Sequence, residues 1–352
     1  MNLIRTLAAC AVLVLTPALA ASAQPAPPFD GRAYVDRAID LARSNALAAG
    51  HVDWPAVTAE LHRRASAARD AFDLYPALVY LLDRLGDQHS FLQLSGERAA
   101  AYRAARGQPF RSQAGHPPIA ERQFSGRREI GAAELPIGRH SARWLVVPSF
   151  MGNRAAGDSY ARTLYGHITA APARCGYVLD FRGNGGGNMW PMLAGLSPLL
   201  ANGELGAFVA RQRDVIFQRD GAVGTRTGGT EQVIHAIAGW RPNPSLRAAA
   251  LAILIDGGSA SSGEIVPIMF VGRARTRFFG TPTYGASTST EGFPLPDGAN
   301  LVIATSSVAD RRGRLYPRGL APDSVVRHAP GGGDAPLEAA KAWLGRQAGC
   351  RG

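Results

Sequence analysis

The sequence contains almost no lysine, few cysteines and no long apolar segment beyond its N-terminus. Lys341 is the single lysine, so arginine supplies nearly all of the 38 basic side chains. Three cysteines are present, and no cluster of cysteine and histidine has the spacing of a zinc site. No later segment is apolar for long enough to cross a membrane. These absences argue against a cysteine–histidine zinc protein and against an integral membrane protein.

The chain is strongly basic, with a formal net charge of +11. A balance of this kind is found in proteins that bind nucleic acid or an anionic surface. Here the arginines are scattered and form no long run, which indicates an arginine-biased composition. We therefore expect no nucleic-acid partner.

Residues 1–23 have the features of a secretory signal peptide. Arg5 provides a positive charge, residues 7–15 form an uncharged apolar run, and residues 18–23 contain two small-x-small cleavage patterns. The run is too short to span a membrane. The segment ending at Cys10 also resembles a lipoprotein box, but it leaves almost no apolar run before the cysteine. We predict a secreted or periplasmic protein without stable membrane insertion.

Export has a consequence for the cysteines that remain after cleavage, Cys175 and Cys350. An export compartment permits disulfide bonds. The two residues are compatible with one bridge that ties the C-terminal tail to the core, and also with two buried or unpaired thiols. The sequence leaves both alternatives open.

The mature chain divides into two parts with different patterns. Residues 24–110 contain a proline-rich linker and then a helical pattern without strand-like alternation, which predicts a helical N-terminal subdomain. In residues 130–348, short apolar runs alternate with helical stretches, which predicts an α/β domain. The predicted strands lie at 144–150, 177–181, 251–255 and 300–306, the last in a hairpin with the segment around Phe293, and the predicted helices at 160–170, 189–201, 265–271 and 335–347.

Two of the predicted strands are followed by segments rich in small residues. Residues 180–187 read D-F-R-G-N-G-G-G, and these glycines miss the G-x-G-x-x-G spacing of dinucleotide-binding loops. On its own this run predicts a phosphate nest, an oxyanion hole or a tight turn. Residues 257–264 read G-G-S-A-S-S-G-E and lead into a predicted helix. A serine there is either a nucleophile beside a helix N-terminus or part of an ordinary helix cap.

A third segment, D-Q-H-S at residues 87–90, follows a leucine-bearing helix. A lone histidine is usually structural. Together, however, the three segments resemble the tail-specific, or C-terminal-processing, peptidases of serine peptidase family 41. The five family motifs occur here in the family order, as D-Q-H-S at 87–90, D-F-R-G-N-G-G-G at 180–187, S-S-G-E at 261–264, G-T-P-T-Y-G at 280–285 and G-L-A-P-D at 319–323.

The resemblance implies a fold and a mechanism. The fold is a crotonase- or Clp-protease-like α/β catalytic core with the helical N-terminal subdomain. Ser261 is the implied nucleophile, three residues before Glu264. Ala286 stands where the Ser–Lys members carry their lysine, and Lys341 is remote in sequence. The tricorn-like members use the histidine of the D-x-H motif instead, which implies that His89 is the general base.

The resemblance leaves the support of His89 undecided. The tricorn-like pattern places a glutamate three residues before G-x-x-P-D, and Tyr316 stands there in this chain. Asp87, Glu264 or Asp310 is a candidate to orient the histidine, and a pair without such a residue is the remaining alternative.

The resemblance also implies an oxyanion hole. One donor is the N–H of Ser262. The other comes from the glycine run, with Gly186 as our choice and Gly185 or Gly187 as the alternatives. Each such donor contributes about 2.7–4 kcal/mol to stabilising the tetrahedral intermediate.

These features predict a compact serine peptidase that acts on peptides or proteins without a metal or organic cofactor. About fifty residues separate His89 from Trp144, which is too few for the PDZ domain that many members carry. Two other functions are compatible with the sequence. One is a non-catalytic peptide- or glycan-binding protein, supported by the missing lysine and glutamate. The other is an envelope esterase, because the chemistry does not distinguish amides from esters.

Overall fold

The structure is a computed structural model that describes residues 29–112, 129–170, 175–328 and 332–351. The predicted signal peptide, the lipoprotein-like segment and the proline-rich linker at 24–28 lie outside these residues. Within the described ranges, no helix combines the length and apolar character that crossing a membrane requires.

The described residues fold into helices and strands, which are numbered here in chain order. The α-helices are α1 (Gly31–Asn45), α2 (Trp54–Ala65), α3 (Ala71–Arg84), α4 (Gly96–Arg106), α5 (Arg154–Thr169), α6 (Met189–Leu196), α7 (Pro244–Ala248), α8 (Ser262–Ile268), α9 (Ala335–Gly345) and α10 (Ala348–Arg351). The strands are β1 (Phe91–Gln93), β2 (Gly131–Ile137), β3 (His140–Val146), β4 (Tyr177–Asp180), β5 (Gly203–Val209), β6 (Arg213–Arg219), β7 (Ala222–Thr227), β8 (Thr230–Ala236), β9 (Leu251–Ile255), β10 (Thr276–Gly280), β11 (Thr288–Pro294), β12 (Asn300–Asp310) and β13 (Ser324–Val325).

The centre of the fold is a six-stranded sheet in the order β13-β10-β9-β4-β3-β2. Strands β3, β4, β9, β10 and β13 run parallel, and β2 is antiparallel to β3. All residues of β4 and β9 are buried. Each fully buried large aliphatic side chain contributes roughly 1.5–3 kcal/mol, so these apolar runs form the middle of the sheet. The predicted strands at 177–181 and 251–255 are therefore confirmed.

Helices cover both faces of this sheet. Side chains of β4 and β9 alternate between two clusters, one that includes α5, α6 and α8 and one that includes α9. The alternation follows from the two-residue period of a strand. The α/β core predicted from the sequence is confirmed.

A second, seven-stranded sheet is antiparallel. It runs in the order β1-β12-β5-β6-β7-β8, and β11 also pairs with β12. The predicted hairpin is confirmed, since Phe293 lies opposite Leu301. The sequence did not predict strands β5 to β8, because arginines and glycines interrupt their apolar pattern.

The N-terminal helices pack on this second sheet. Helices α1 to α4 begin at side-chain caps, namely Asp30, Asp53, Asp70 and Ser95. Their core includes Leu301 and Ile303 of β12. The prediction of a region without strands was wrong at β1, which pairs with β12. Pairing with a distant strand decided the conformation of these three residues. The division into 24–110 and 130–348 stays a prediction.

The C-terminal tail is tied to the sheet at two points. A disulfide joins Cys175 to Cys350, which resolves the alternative left open by the sequence. Arg182, whose side chain is fully buried, forms ion pairs with Asp180 and with Asp334 at the start of α9. These contacts hold α9 against the strand that leads into the glycine run.

Candidate active site

Three motif-bearing loops meet at one edge of the parallel sheet. Strands β4, β9 and β10 are neighbours and run in the same direction. Their carboxyl ends therefore lie side by side, which is where open α/β sheets bind ligands. The loops that follow these strands contain residues 181–187, 256–261 and 281–285. The topology thus brings together segments that lie up to about a hundred residues apart.

Ser261 lies between β9 and α8 in an unusual backbone conformation. Its φ is +53° and its ψ is −122°, a region that costs a non-glycine residue roughly 1–3 kcal/mol. The N–H of Ser261 donates to Glu264 Oε2 at 3.0 Å, and its carbonyl accepts the N–H of Ile265 at 2.9 Å. These bonds hold the serine, half-buried, at the start of a helix.

Glu264 joins the serine loop to the loop after β10. Its side chain is fully buried, and burial raises the pKa of its carboxyl group while the hydrogen bonds that it accepts oppose that shift. These bonds come from the N–H groups of Ser261, Gly285 and Ala286 and from the hydroxyl of Thr283. Glu264 therefore organises the backbone around the serine, and it makes no hydrogen bond to His89 among the described residues.

The neighbouring serine hydroxyls are bound to backbone groups. Ser259 is fully buried, donates to the carbonyl of Phe181 at 2.9 Å and accepts the N–H of Asp256 at 3.1 Å. Ser262 donates to the carbonyl of Gly187 at 2.5 Å. These two hydroxyls therefore hold the loops in place.

The glycine run packs directly against Ser261. A Cβ atom on Gly186 would lie 2.6 Å from Ser261 Cβ and 3.1 Å from Ser261 Oγ. The N–H of Gly186 donates to Asn184 Oδ1 at 2.9 Å, and Asn184 in turn donates to the carbonyl of Val147. Among the described residues, the N–H groups of Gly187 and Ser262 donate to no other residue. In this conformation the Gly186 amide is therefore occupied, whereas those of Gly187 and Ser262 are not.

His89 is half-buried and contacts a residue that the sequence did not suggest. Its Nδ1 lies 2.8 Å from Oγ1 of Thr288 at the start of β11. Its main-chain N–H donates to Asp87 at 2.8 Å, and the same carboxylate also accepts both the N–H and the hydroxyl of Ser90. Burial lowers the pKa of His89 to about 4, although the negative charge of Asp87 opposes that shift. The ring is therefore neutral at pH 7.

The D-Q-H-S segment reaches the same region as the serine loop. A Cβ atom on Gly285 would lie 3.8 Å from the side-chain oxygen of Gln88. Thr288, which contacts His89, follows two residues after Ala286, whose N–H donates to Glu264. No hydrogen bond joins His89 to Ser261 within the part of the chain that the structure describes.

Asp310 and Lys341, two other residues considered from the sequence, bind other partners. Asp310 accepts the hydroxyl of Tyr316 at 2.8 Å and backbone N–H groups of the turn after β12. Lys341 lies on α9 and forms an ion pair with Glu338 at 2.9 Å. In the described ranges, no group of three or more histidine, cysteine, aspartate or glutamate side chains is arranged to hold a metal ion.

We expect Gly186→Ala to reduce the labelling of the serine by a fluorophosphonate about 10²-fold or more. The new methyl group would displace Ser261, and small displacements at a reacting centre have effects of this size. Gly203→Ala is the control, since Gly203 also has a positive φ (+115°) but has open space around its Cβ position. Equal labelling of the two variants would contradict this placement of Gly186 beside the reacting atom.

Fold and site together define an α/β protein whose motif-bearing loops converge on a serine at a helix N-terminus. The model of peptidase family S41 matches residues 144–326, just over half of the 352 residues. The chain therefore belongs to peptidase family S41, which confirms the family predicted from the sequence motifs.

Individual relatives agree with this assignment. The nisin-resistance protein of Lactococcus lactis subsp. lactis is 31% identical over 189 residues, which cover 53% of this chain and 56% of that protein. The fold is similar to that of a lipoprotein from Streptococcus agalactiae, with a TM-score of 0.63 and 21% identity over 92% of this chain and 98% of the other. The photosystem II D1 C-terminal processing protease has a TM-score of 0.55 and 15% identity over 92% and 99% of the two chains.

Proposed function

We propose that this protein is an exported serine peptidase that hydrolyses peptide bonds through an acyl-enzyme on Ser261, with His89 as general base. Membership of family S41 supports a peptide or protein as the substrate. The observation that carries the proposal is the convergence of the serine loop, the glycine run and the D-Q-H-S segment on one edge of the parallel sheet. We further propose that it belongs with the tricorn-like Ser/His members.

The proposed reaction needs only groups of this chain and water. Ser261 Oγ bonds to the scissile carbonyl carbon while its proton passes to Nε2 of His89. The C–N bond then breaks, and the amine leaves with that proton. Water next attacks the acyl group, its proton passes through His89, and Ser261 Oγ recovers the proton as the acid product leaves. The positive φ of Ser261 and the N-terminus of α8 support the first step, because a helix N-terminus stabilises developing negative charge.

The oxyanion that forms in each half-reaction requires backbone donors. We propose the N–H of Ser262 as one donor, because it lies in the first turn of α8 and has no hydrogen-bond partner among the described residues. Gly186 stays our prediction for the second donor, and its amide has to exchange Asn184 Oδ1 for the oxyanion. Gly187 is the alternative, since its N–H donates to no other described residue.

We also propose that the protein acts outside the cytoplasm, with residues 1–23 as a cleaved signal peptide, 24–110 as linker and helical subdomain and 130–348 as catalytic domain. The disulfide between Cys175 and Cys350 supports an oxidising compartment. The existence of a lipoprotein among the structural relatives agrees with export.

Labelling of the purified mature protein with a fluorophosphonate tests the proposal. We expect one covalent adduct per chain, whereas a peptide- or glycan-binding protein would remain unlabelled. A peptide library compared with p-nitrophenyl esters then separates a peptidase from an esterase. Turnover of esters without cleavage of any peptide would contradict the proposed reaction.

A further inference from the structure

The contact between His89 and Thr288 lies where a histidine base requires support. A neutral imidazole carries one proton, so Nε2 can accept the serine proton only if that proton is on Nδ1. Thr288 Oγ1 lies 2.8 Å from Nδ1. A hydroxyl oxygen at this distance can accept the Nδ1 proton and thereby leave Nε2 free.

The carboxylates near the site are engaged elsewhere. Asp87 binds backbone N–H groups and the hydroxyl of Ser90, and Glu264 binds the serine loop and the loop after β10. Asp87 is the charged side chain that acts on the pKa of the His89 ring. Among the described residues, Thr288 is therefore the one whose side chain lies within hydrogen-bond distance of the ring.

We infer that Thr288 is a positioning residue for the reaction, whose hydroxyl oxygen accepts the Nδ1 proton of His89 and so directs an unprotonated Nε2 toward Ser261. The inference rests on the proposed function, because it assigns a partner to the proposed base. It completes a neutral Ser–His–Thr arrangement in place of one that ends in a carboxylate.

The backbone around Thr288 links the two proposed catalytic residues. Two residues earlier, the N–H of Ala286 donates to Glu264 Oε2 at 2.8 Å, and the same oxygen accepts the N–H of Ser261 at 3.0 Å. Residue 286 therefore contacts Glu264, which also holds the proposed nucleophile, and residue 288 contacts the proposed base. Pairing of Thr288 with Ser307 of β12 holds this segment in the sheet.

A neutral partner has a chemical consequence. A carboxylate beside the ring would stabilise the imidazolium and raise the pKa of the histidine. A threonine hydroxyl adds no charge, so the base stays deprotonated to lower pH. We therefore expect the reaction rate to fall with decreasing pH only below the usual histidine range. Removal of the hydroxyl should move this fall to a still lower pH.

The experiment compares Thr288→Val, Thr288→Ser and Thr290→Val with the wild type. Fluorophosphonate is the probe, and its second-order labelling rate is measured across pH 3.5–8. We expect Thr288→Val to lower the rate about 5- to 100-fold, since it removes the side-chain hydrogen-bond partner of Nδ1. Thr288→Ser keeps the hydroxyl and should label within about threefold of wild type. Thr290→Val is the matched control, a half-buried threonine of the same strand that makes no hydrogen bond to His89 among the described residues.

Nitrogen chemical shifts of His89 provide a second readout that does not depend on activity. We expect the Nδ1-protonated form in the wild type at pH 7 and a smaller share of it in Thr288→Val. Wild-type labelling and an unchanged pH profile in Thr288→Val, or an Nε2-protonated ring in the wild type, would overturn the inference. If Thr288→Val does not fold, the wild-type spectrum still decides. Labelling of His89→Ala at the wild-type rate would instead refute the proposed base itself.

Discussion

Ser261→Ala is expected to abolish covalent labelling and to reduce peptide hydrolysis by on the order of 10⁴- to 10⁶-fold, because no other nucleophile can form the acyl-enzyme. The fold should survive, since the backbone N–H and carbonyl of residue 261 keep their bonds to Glu264 and Ile265. Intact-mass analysis after fluorophosphonate treatment measures the first effect, and cleavage of a peptide library measures the second.

Ser259→Ala is the matched control in the same loop. It removes a hydroxyl that bridges the carbonyl of Phe181 and the N–H of Asp256, so it should lower the free energy of unfolding by about 1–3 kcal/mol. The folded fraction should nevertheless keep most of its labelling. If Ser259→Ala were unreactive and Ser261→Ala still labelled, the assignment of the nucleophile within the loop would be wrong.

His89→Ala is expected to lower kcat/KM by roughly 10²- to 10⁴-fold, the usual contribution of a positioned proton acceptor. Lys341→Met should stay close to wild type, because Lys341 lies on α9 in an ion pair with Glu338. An active His89→Ala enzyme that Lys341→Met inactivates would contradict the proposed base and leave the nucleophile and the fold unaffected.

The pH dependence of kcat/KM tests the same residue. A histidine base is active when deprotonated, so activity is lost as pH falls through its pKa. From the sequence we expect this acidic limb at about pH 6–7, the range of an ordinary histidine. In the structure, burial lowers the pKa of His89 to about 4, which predicts that the limb shifts to about that pH. An acidic limb that persists in His89→Ala would assign it to another group.

Local sequence patterns were sufficient to predict much of the fold. The apolar runs of β4 and β9 predict buried strands, and the hairpin of β11 and β12 is visible in the chain itself. Strands β5 to β8 have a weaker pattern, because arginines and glycines interrupt their apolar residues. The short strand β1 pairs with β12, about two hundred residues away, and no local pattern indicates that pairing.

For the site, the order and spacing of the motifs by themselves determined the family, which the match to family S41 confirms. The resemblance to this family also implied Ser261, His89, Gly186 and Ser262 as site residues. These roles remain predictions.

Only the tertiary structure decided how these residues are supported. Thr288 reaches His89 across 199 residues of chain, and the sequence contains no sign that this threonine differs from its neighbours. The same holds for the bond between Asn184 and Gly186, and only the structure decided that Cys175 and Cys350 form a disulfide. Motifs are local and can be read along the chain, whereas a hydrogen bond depends on where the folded chain places two atoms. The sequence therefore determined which residues are candidates for the chemistry, and the fold decided which atoms face them.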